Sequence, residues 1–160
     1  MNQKLTNTLL CLLTFLCLGC GSDEPKQTSV GLIQQINASG IITDAQAEFL
    51  SKVDGWLELN GLTSITDEQA KSLSKVDGWL GFALNSLTSI TDAQAEILSK
   101  VNALHLNGLT SITDAQAESL SKVHGLRLLS LNGLTSITDA QAEFLSKVDA
   151  SLLSLDGLNS

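Results

Sequence analysis

The chain has 160 residues, 43% of them apolar, with a single proline and no tyrosine. That composition excludes a disordered chain and requires an aliphatic core built from leucine, isoleucine, valine and alanine. Nine Lys and Arg stand against 17 Asp and Glu, a formal charge of −8, which argues against nucleic acid and against adsorption to anionic lipid headgroups, since both need clustered cations.

Taken in chain order, the first segment is "MNQKLTNTLLCLLTFLCLGC". Lys4 supplies a positive start, and Leu9 to Leu18 form an almost unbroken apolar run, too short for the roughly twenty residues a bilayer span needs. After Cys20 the chain turns polar within a few residues, in "GSDEPKQTS". All three cysteines (Cys11, Cys17, Cys20) lie in this segment, so the rest of the chain can hold no disulfide framework and no cysteine metal site. The segment resembles a bacterial lipoprotein signal, cleaved before a cysteine that then carries acyl chains. The resemblance implies a signal peptide over 1–19, lipidation at Cys20 and a polar linker over 20–29. Each buried methylene of such an anchor adds about 0.8 kcal/mol. Ordinary secretion with a free Cys20 and a retained anchor helix are the alternatives. By resemblance to lipoprotein sorting, Gly21 implies the outer membrane, and the acidic "SDE" is similar to surface-export signals, so the domain would face the periplasm or the outside.

From residue 30 onward one phrase recurs. The threonine of "ITD" stands at Thr43, Thr66, Thr91, Thr113 and Thr138, at spacings of 23, 25, 22 and 25. A period in the twenties points to a solenoid of stacked units. From Leu59, Leu84, Leu106 and Leu131 to the next isoleucine is always six residues, and from that isoleucine to the block's closing valine always eleven. Only the connection after the valine varies in length.

Within a unit, Thr113-Asp114-Ala115-Gln116 has the form of a capping box, with Asp114 in the first helical turn and Lys122 in the last. Asp114, Glu118 and Lys122 share one stripe, while Ala115, Ala117, Leu120 and Val123 fall on the other side. "TDAQAESLSKV" therefore predicts a short amphipathic helix. "LHLNG" and "LSLNG" have period two and end in Asn-Gly, which predicts three-residue strands with both leucines inward. One such unit is too small to fold by itself, so each copy supplies its neighbour's core. "SVGLIQQINASG" keeps Asn37 where later units have Asn60, Asn85, Asn107 and Asn132, but lacks the leucine pair, as a degenerate N-terminal cap would. The chain stops at "LLSLDGLNS", mid-unit, leaving Leu155 and Leu158 without a successor and available for self-association.

The frame Leu-x-Leu-x-x-Leu-x-x-Ile-Thr-Asp resembles leucine-rich repeats, in particular the subtype with cysteine where this chain has Leu62, Leu87, Leu109 and Leu134. The resemblance spans 30–160 in about four to five repeats. It implies an α/β solenoid, a horseshoe segment with short parallel strands on the concave face and short helices on the convex one. It also implies a concave face that contacts ligands.

Positions that stay identical are explained by stacking, so function is sought where copies differ. The outward strand row reads Glu58, Ala83, His105, Ser130, Ser154, and the twin "DGWL" phrases add Trp56 and Trp79 at its rim, aromatics able to stack on a sugar or peptide. These residues are the candidate binding set. His105 and His124 occupy different slots, so a paired metal set is not expected; Arg127 near His124 and Trp79 marks a possible polar patch. The aspartates Asp44, Asp67, Asp92, Asp114 and Asp139 lack the spacing of a calcium loop and read as helix starts. No G-x-S-x-G, phosphate-cradling loop or H-E-x-x-H occurs, so neither an enzyme nor a cofactor is expected. The expected function is a lipid-anchored envelope protein presenting a repeat surface to a protein or glycan. The alternatives are a spacer that docks through its C-terminal edge and a truncated repeat protein without its own function.

Overall fold

The computed structural model describes residues 28–75, 81–122, 128–148 and 152–158. In chain order these form α1 (Ser29–Ser39), α2 (Asp44–Leu50), β1 (Leu57–Glu58), α3 (Asp67–Leu73), β2 (Gly81–Ala83), α4 (Asp92–Leu98), β3 (Ala103–His105), α5 (Asp114–Ser121), β4 (Leu128–Ser130), α6 (Asp139–Leu145) and β5 (Leu152–Ser154). The strands make one parallel five-stranded sheet in sequence order, β1-β2-β3-β4-β5. Strand and helix alternate along the chain, giving an α/β stack in which each repeat lies beside the one before it.

The helices begin where the capping threonines stand. Thr43, Thr66, Thr91, Thr113 and Thr138 each accept a hydrogen bond at Oγ1 from the backbone N–H of the glutamine three residues on, and that glutamine's Oε1 accepts from the threonine N–H. Two of the donors orphaned at each helix start are thereby satisfied. The glutamine's remaining group reaches outside its own repeat. Nε2 of Gln69, Gln94, Gln116 and Gln141 donates to the carbonyl oxygen of Ile42, Ile65, Ile90 and Ile112, at 2.9, 2.9, 2.8 and 2.9 Å. The next threonine adds a second bridge: Thr91, Thr113 and Thr138 donate to the carboxylates of Asp67, Asp92 and Asp114. The repeated aspartate thus tethers the following repeat as well as meeting the helix dipole.

A second ladder runs along the turns after the strands. Asn37 Oδ1 accepts from Gly61 N–H at 2.8 Å, Asn85 from Asn107 N–H at 3.2 Å, Asn107 from Asn132 N–H at 2.9 Å, and Asn132 from Asp156 N–H at 3.0 Å. Here the backbones approach so closely that a Cβ on Gly133 would collide with the Asn107 carbonyl oxygen and lie 2.6 Å from that of Leu109. In the second repeat Ser86 takes the glycine's slot and donates its hydroxyl to the Asn60 carbonyl.

Between the ladders the apolar side chains register. Leu57, Phe82, Leu104 and Leu129 pair across the sheet, and Leu59, Leu84, Leu106 and Leu131 follow them, all essentially inaccessible. Ala47, Ala70, Ala95 and Ala117 close the helix side with no exposure at all. Each fully buried leucine contributes about 1.5–3 kcal/mol.

Three sequence expectations shift. Strand β3 is Ala103–His105, one residue earlier than the leucine pair, although Leu104 and Leu106 both point inward as expected. On α5 the buried stripe is Gln116, Ala117 and Leu120; Ala115 is exposed, because the inter-repeat bond pulls Gln116 into the core. The segment before the first "ITD" forms a full helix rather than a weakened repeat. Thr28 caps it, Leu32 and Ile36 are buried, and Asn37 still serves the ladder, donating Nδ2–H to the Glu58 carbonyl. Signal-peptide, Cys20, Val76 and Val123 readings lie outside the described residues. At the other end, Ala142 is exposed and Leu153, Leu155 and Leu158 are half-buried, unlike their inner counterparts.

Gln116→Ala is expected to cost about 2–3 kcal/mol, combining a lost cap with an unpaired Ile90 carbonyl. Gln46→Ala, which among the described contacts removes only the side-chain acceptor of the Thr43 N–H, should cost about 1 kcal/mol. Urea unfolding of both variants checks the order. In the same assay Gly133→Ala should destabilise by about 1–3 kcal/mol through overpacking of the Asn107 turn.

Candidate functional site

The sheet face turned away from the helices holds the sequence-derived row in register: Glu58, Ala83, His105, Ser130 and Ser154 lie side by side on successive strands. They are not equivalent. Ser130 is 3% exposed and donates its hydroxyl to Asn107 Oδ1 at 2.7 Å. Ser154 directs its hydroxyl at Asn132 Oδ1 and Asp156 Oδ2, at 2.6 and 2.9 Å. Both serines therefore belong to the asparagine ladder. Glu58, Trp56 and His105 remain as the candidate site, and Trp79, His124, Arg127 and Cys20 lie outside the described residues.

Trp56 precedes β1 and follows Gly55, whose φ of 136° is open to glycine but not to residues with a side chain. That backbone turn delivers the indole onto the outer sheet face. Its ring meets His105 edge to face, with centroids 5.1 Å apart and planes at 89°. Trp56 adjoins β1 and His105 lies on β3, with β2 between, so their backbones are about 9.6 Å apart at ordinary strand spacing. Between them β2 presents Ala83 on this face, while Gly81 admits the neighbouring strand closely, since a Cβ there would lie 2.5 Å from the Ala103 Cβ. Ala83 is 5% exposed even though it points away from the core, while Trp56 itself keeps 38% of its surface in solvent.

A second column runs beside the first. Trp56 stands one residue before β1, and register pairs Gly81 with Ala103 and Ala103 with Leu128. The sequence reading missed this column, because the repeated leucine pair drew attention to the one residue between the leucines. Extending the period-two alternation one step toward the N-terminus would have found it.

His105 Nε2 is buried without a hydrogen-bond partner. An unmade hydrogen bond of this kind costs about 1–3 kcal/mol. Burial also holds the His105 pKa below its ordinary 6.5, so the ring is neutral at pH 7. Across the row it faces Ala83 on β2, Glu58 beyond it on β1, and Ser130 on β4. Among the described residues, Glu58 is the one charged side chain in this row.

Elsewhere, a shallow apolar cavity of about 620 Å³ is lined by Gln35, Ala38, Ser39, Ile41, Thr43 and Gln46 and shares no residue with the Trp56 patch. Among the described residues, no group of three or more His, Cys, Asp or Glu side chains is placed to hold a metal ion, and no helix is long and apolar enough to cross a membrane. Comparison with protein-family models, curated proteins and solved structures finds no match.

The depressed His105 pKa has a thermodynamic consequence. Between the folded value and 6.5 the unfolded chain binds more protons than the folded one, so stability falls as the pH drops below 6.5 and levels off below the folded pKa. Melting curves from about pH 7.5 to about pH 5.5 should show a larger loss for the natural chain than for His105→Gln, which lacks the titrating ring.

Proposed function

We propose that this chain is an envelope lipoprotein, tethered through acylated Cys20, whose stacked repeats form a leucine-rich-repeat horseshoe that binds a protein or glycan on its concave sheet face. The observation that supports this most directly is the uncovered sheet face with Trp56 held 38% exposed beside a partnerless His105 nitrogen. A face needed only for folding has no use for either. Rigid backing favours the same reading, since the repeats carrying the patch are joined by the Gln94–Ile65 and Gln116–Ile90 bonds, by Asn60–Asn85 and Asn85–Asn107 contacts and by a continuous leucine core. The outer-membrane address rests on the sequence alone, as does the absence of an enzymatic role.

Docking through the C-terminal edge is the second reading. It is favoured by Ala142, exposed where Ala117 is sealed, and by the half-buried Leu153, Leu155 and Leu158. A mass that rises with concentration, and falls back in Leu155→Glu, would support it.

A photo-crosslinking residue placed at Glu58 in the full chain, in its own cells, tests the first reading. Adducts are expected from position 58 and not from Ala115 on the helix side, and they should disappear in Trp56→Ala. Equal labelling from both positions would sink it. In the same cells Cys20→Ala should abolish labelling by radioactive palmitate and release the chain from the membrane fraction.

A further inference from the structure

We propose that the Trp56–Glu58–His105 patch is a subsite for a neutral glycan, with one pyranose ring stacked on the Trp56 indole, its hydroxyls held by Glu58, and His105 bracing the indole from the side. The inference rests on the concave-face reading above and names its ligand class.

Size decides first. Five strands at about 4.8 Å spacing and about 10 Å of strand length give a face of roughly 200 Å². A stable protein interface takes about 800 Å² from each partner. The patch is thus wide enough for two or three sugar rings and too small, by itself, for a folded protein. An extended peptide would gain affinity by adding a strand to a sheet edge. Here the patch lies mid-sheet, where β2 and β3 already have neighbours on both sides.

Chemistry agrees with size. The apolar C–H face of a pyranose matches an indole that is partly exposed and braced edge-on by His105. A carboxylate such as Glu58 accepts from two adjacent hydroxyls at once. His105 meets the indole edge to face, with ring centroids 5.1 Å apart, and so fixes the plane on which a sugar would stack. The glycan is neutral because Glu58 is the charge in this row and the whole chain carries −8; an acidic sugar would meet repulsion with no described cation on the face to offset it.

The test uses the full chain, extracted from membranes in a detergent without a sugar headgroup, with Trp79→Phe so that Trp56 is the remaining indole. Neutral glucan, mannan and chitin hexasaccharides are titrated while tryptophan fluorescence and heat are recorded. At least one should give saturable binding with a fluorescence change. Trp56→Ala should weaken it about tenfold, and Trp56→Phe less. Glu58→Gln checks the hydroxyl contacts without disturbing the fold, which circular dichroism confirms for each variant. Absence of binding by folded chain to every neutral sugar overturns the proposal, as does binding that survives Trp56→Ala unchanged. The Glu58 crosslinker in cells separates the two levels: a protein adduct there removes the glycan and leaves the concave-face reading standing, whereas no preference for position 58 removes both.

Discussion

Everything in this stack depends on one side chain per repeat, the glutamine at the third position of each helix. Gln116 accepts the Thr113 N–H, gives its own N–H to the Thr113 hydroxyl, and sends its amide nitrogen to the Ile90 carbonyl of the repeat before. The first two bonds start a helix that spans only Asp114–Ser121, below the length at which a helix is stable in water alone. The third ties that start to the neighbour, so forming the helix and stacking it are the same event. Its amide is buried, and a buried amide left without a partner is costly. Displacing the previous repeat would strand it, which makes the connection obligatory rather than merely favourable.

The near-identity of the copies follows from this coupling. A residue in one repeat is the partner of its equivalents on both sides, so a change must suit two environments at once. Thr113 caps its own helix and donates to Asp92, while Asp114 accepts from Thr138. Gly133 must admit the backbone of the Asn107 turn. Outside the most regular repeats the sequence changes character: α1 precedes the first capping box, and Asp156 stands where the preceding repeats have asparagine.

The outer sheet face escapes the same constraint. Its side chains neither enter the core nor, at positions 56, 58 and 105, join a ladder. The repeats differ from one another there, and the difference has a consequence: Trp56 meets His105 on β3 with β2 between them.

The sequence by itself determined the periodic part. Capping threonines, the leucine pair, the strand–helix alternation and the outward row were all readable, because each depends on contacts within a few residues or on a pattern repeated at fixed intervals. Three things waited for tertiary structure. That Gln116 rather than Ala115 is buried depends on the position of the Ile90 carbonyl, 26 residues away. That Ser130 and Ser154 face a ladder rather than a ligand depends on the asparagines of the preceding repeats. That Trp56 and His105 touch depends on strand order and on how little stands between them, and 49 residues of chain separate the two. Local patterns encode local hydrogen bonds. A contact between side chains on non-adjacent strands is decided by register, and register exists only once the repeats have stacked.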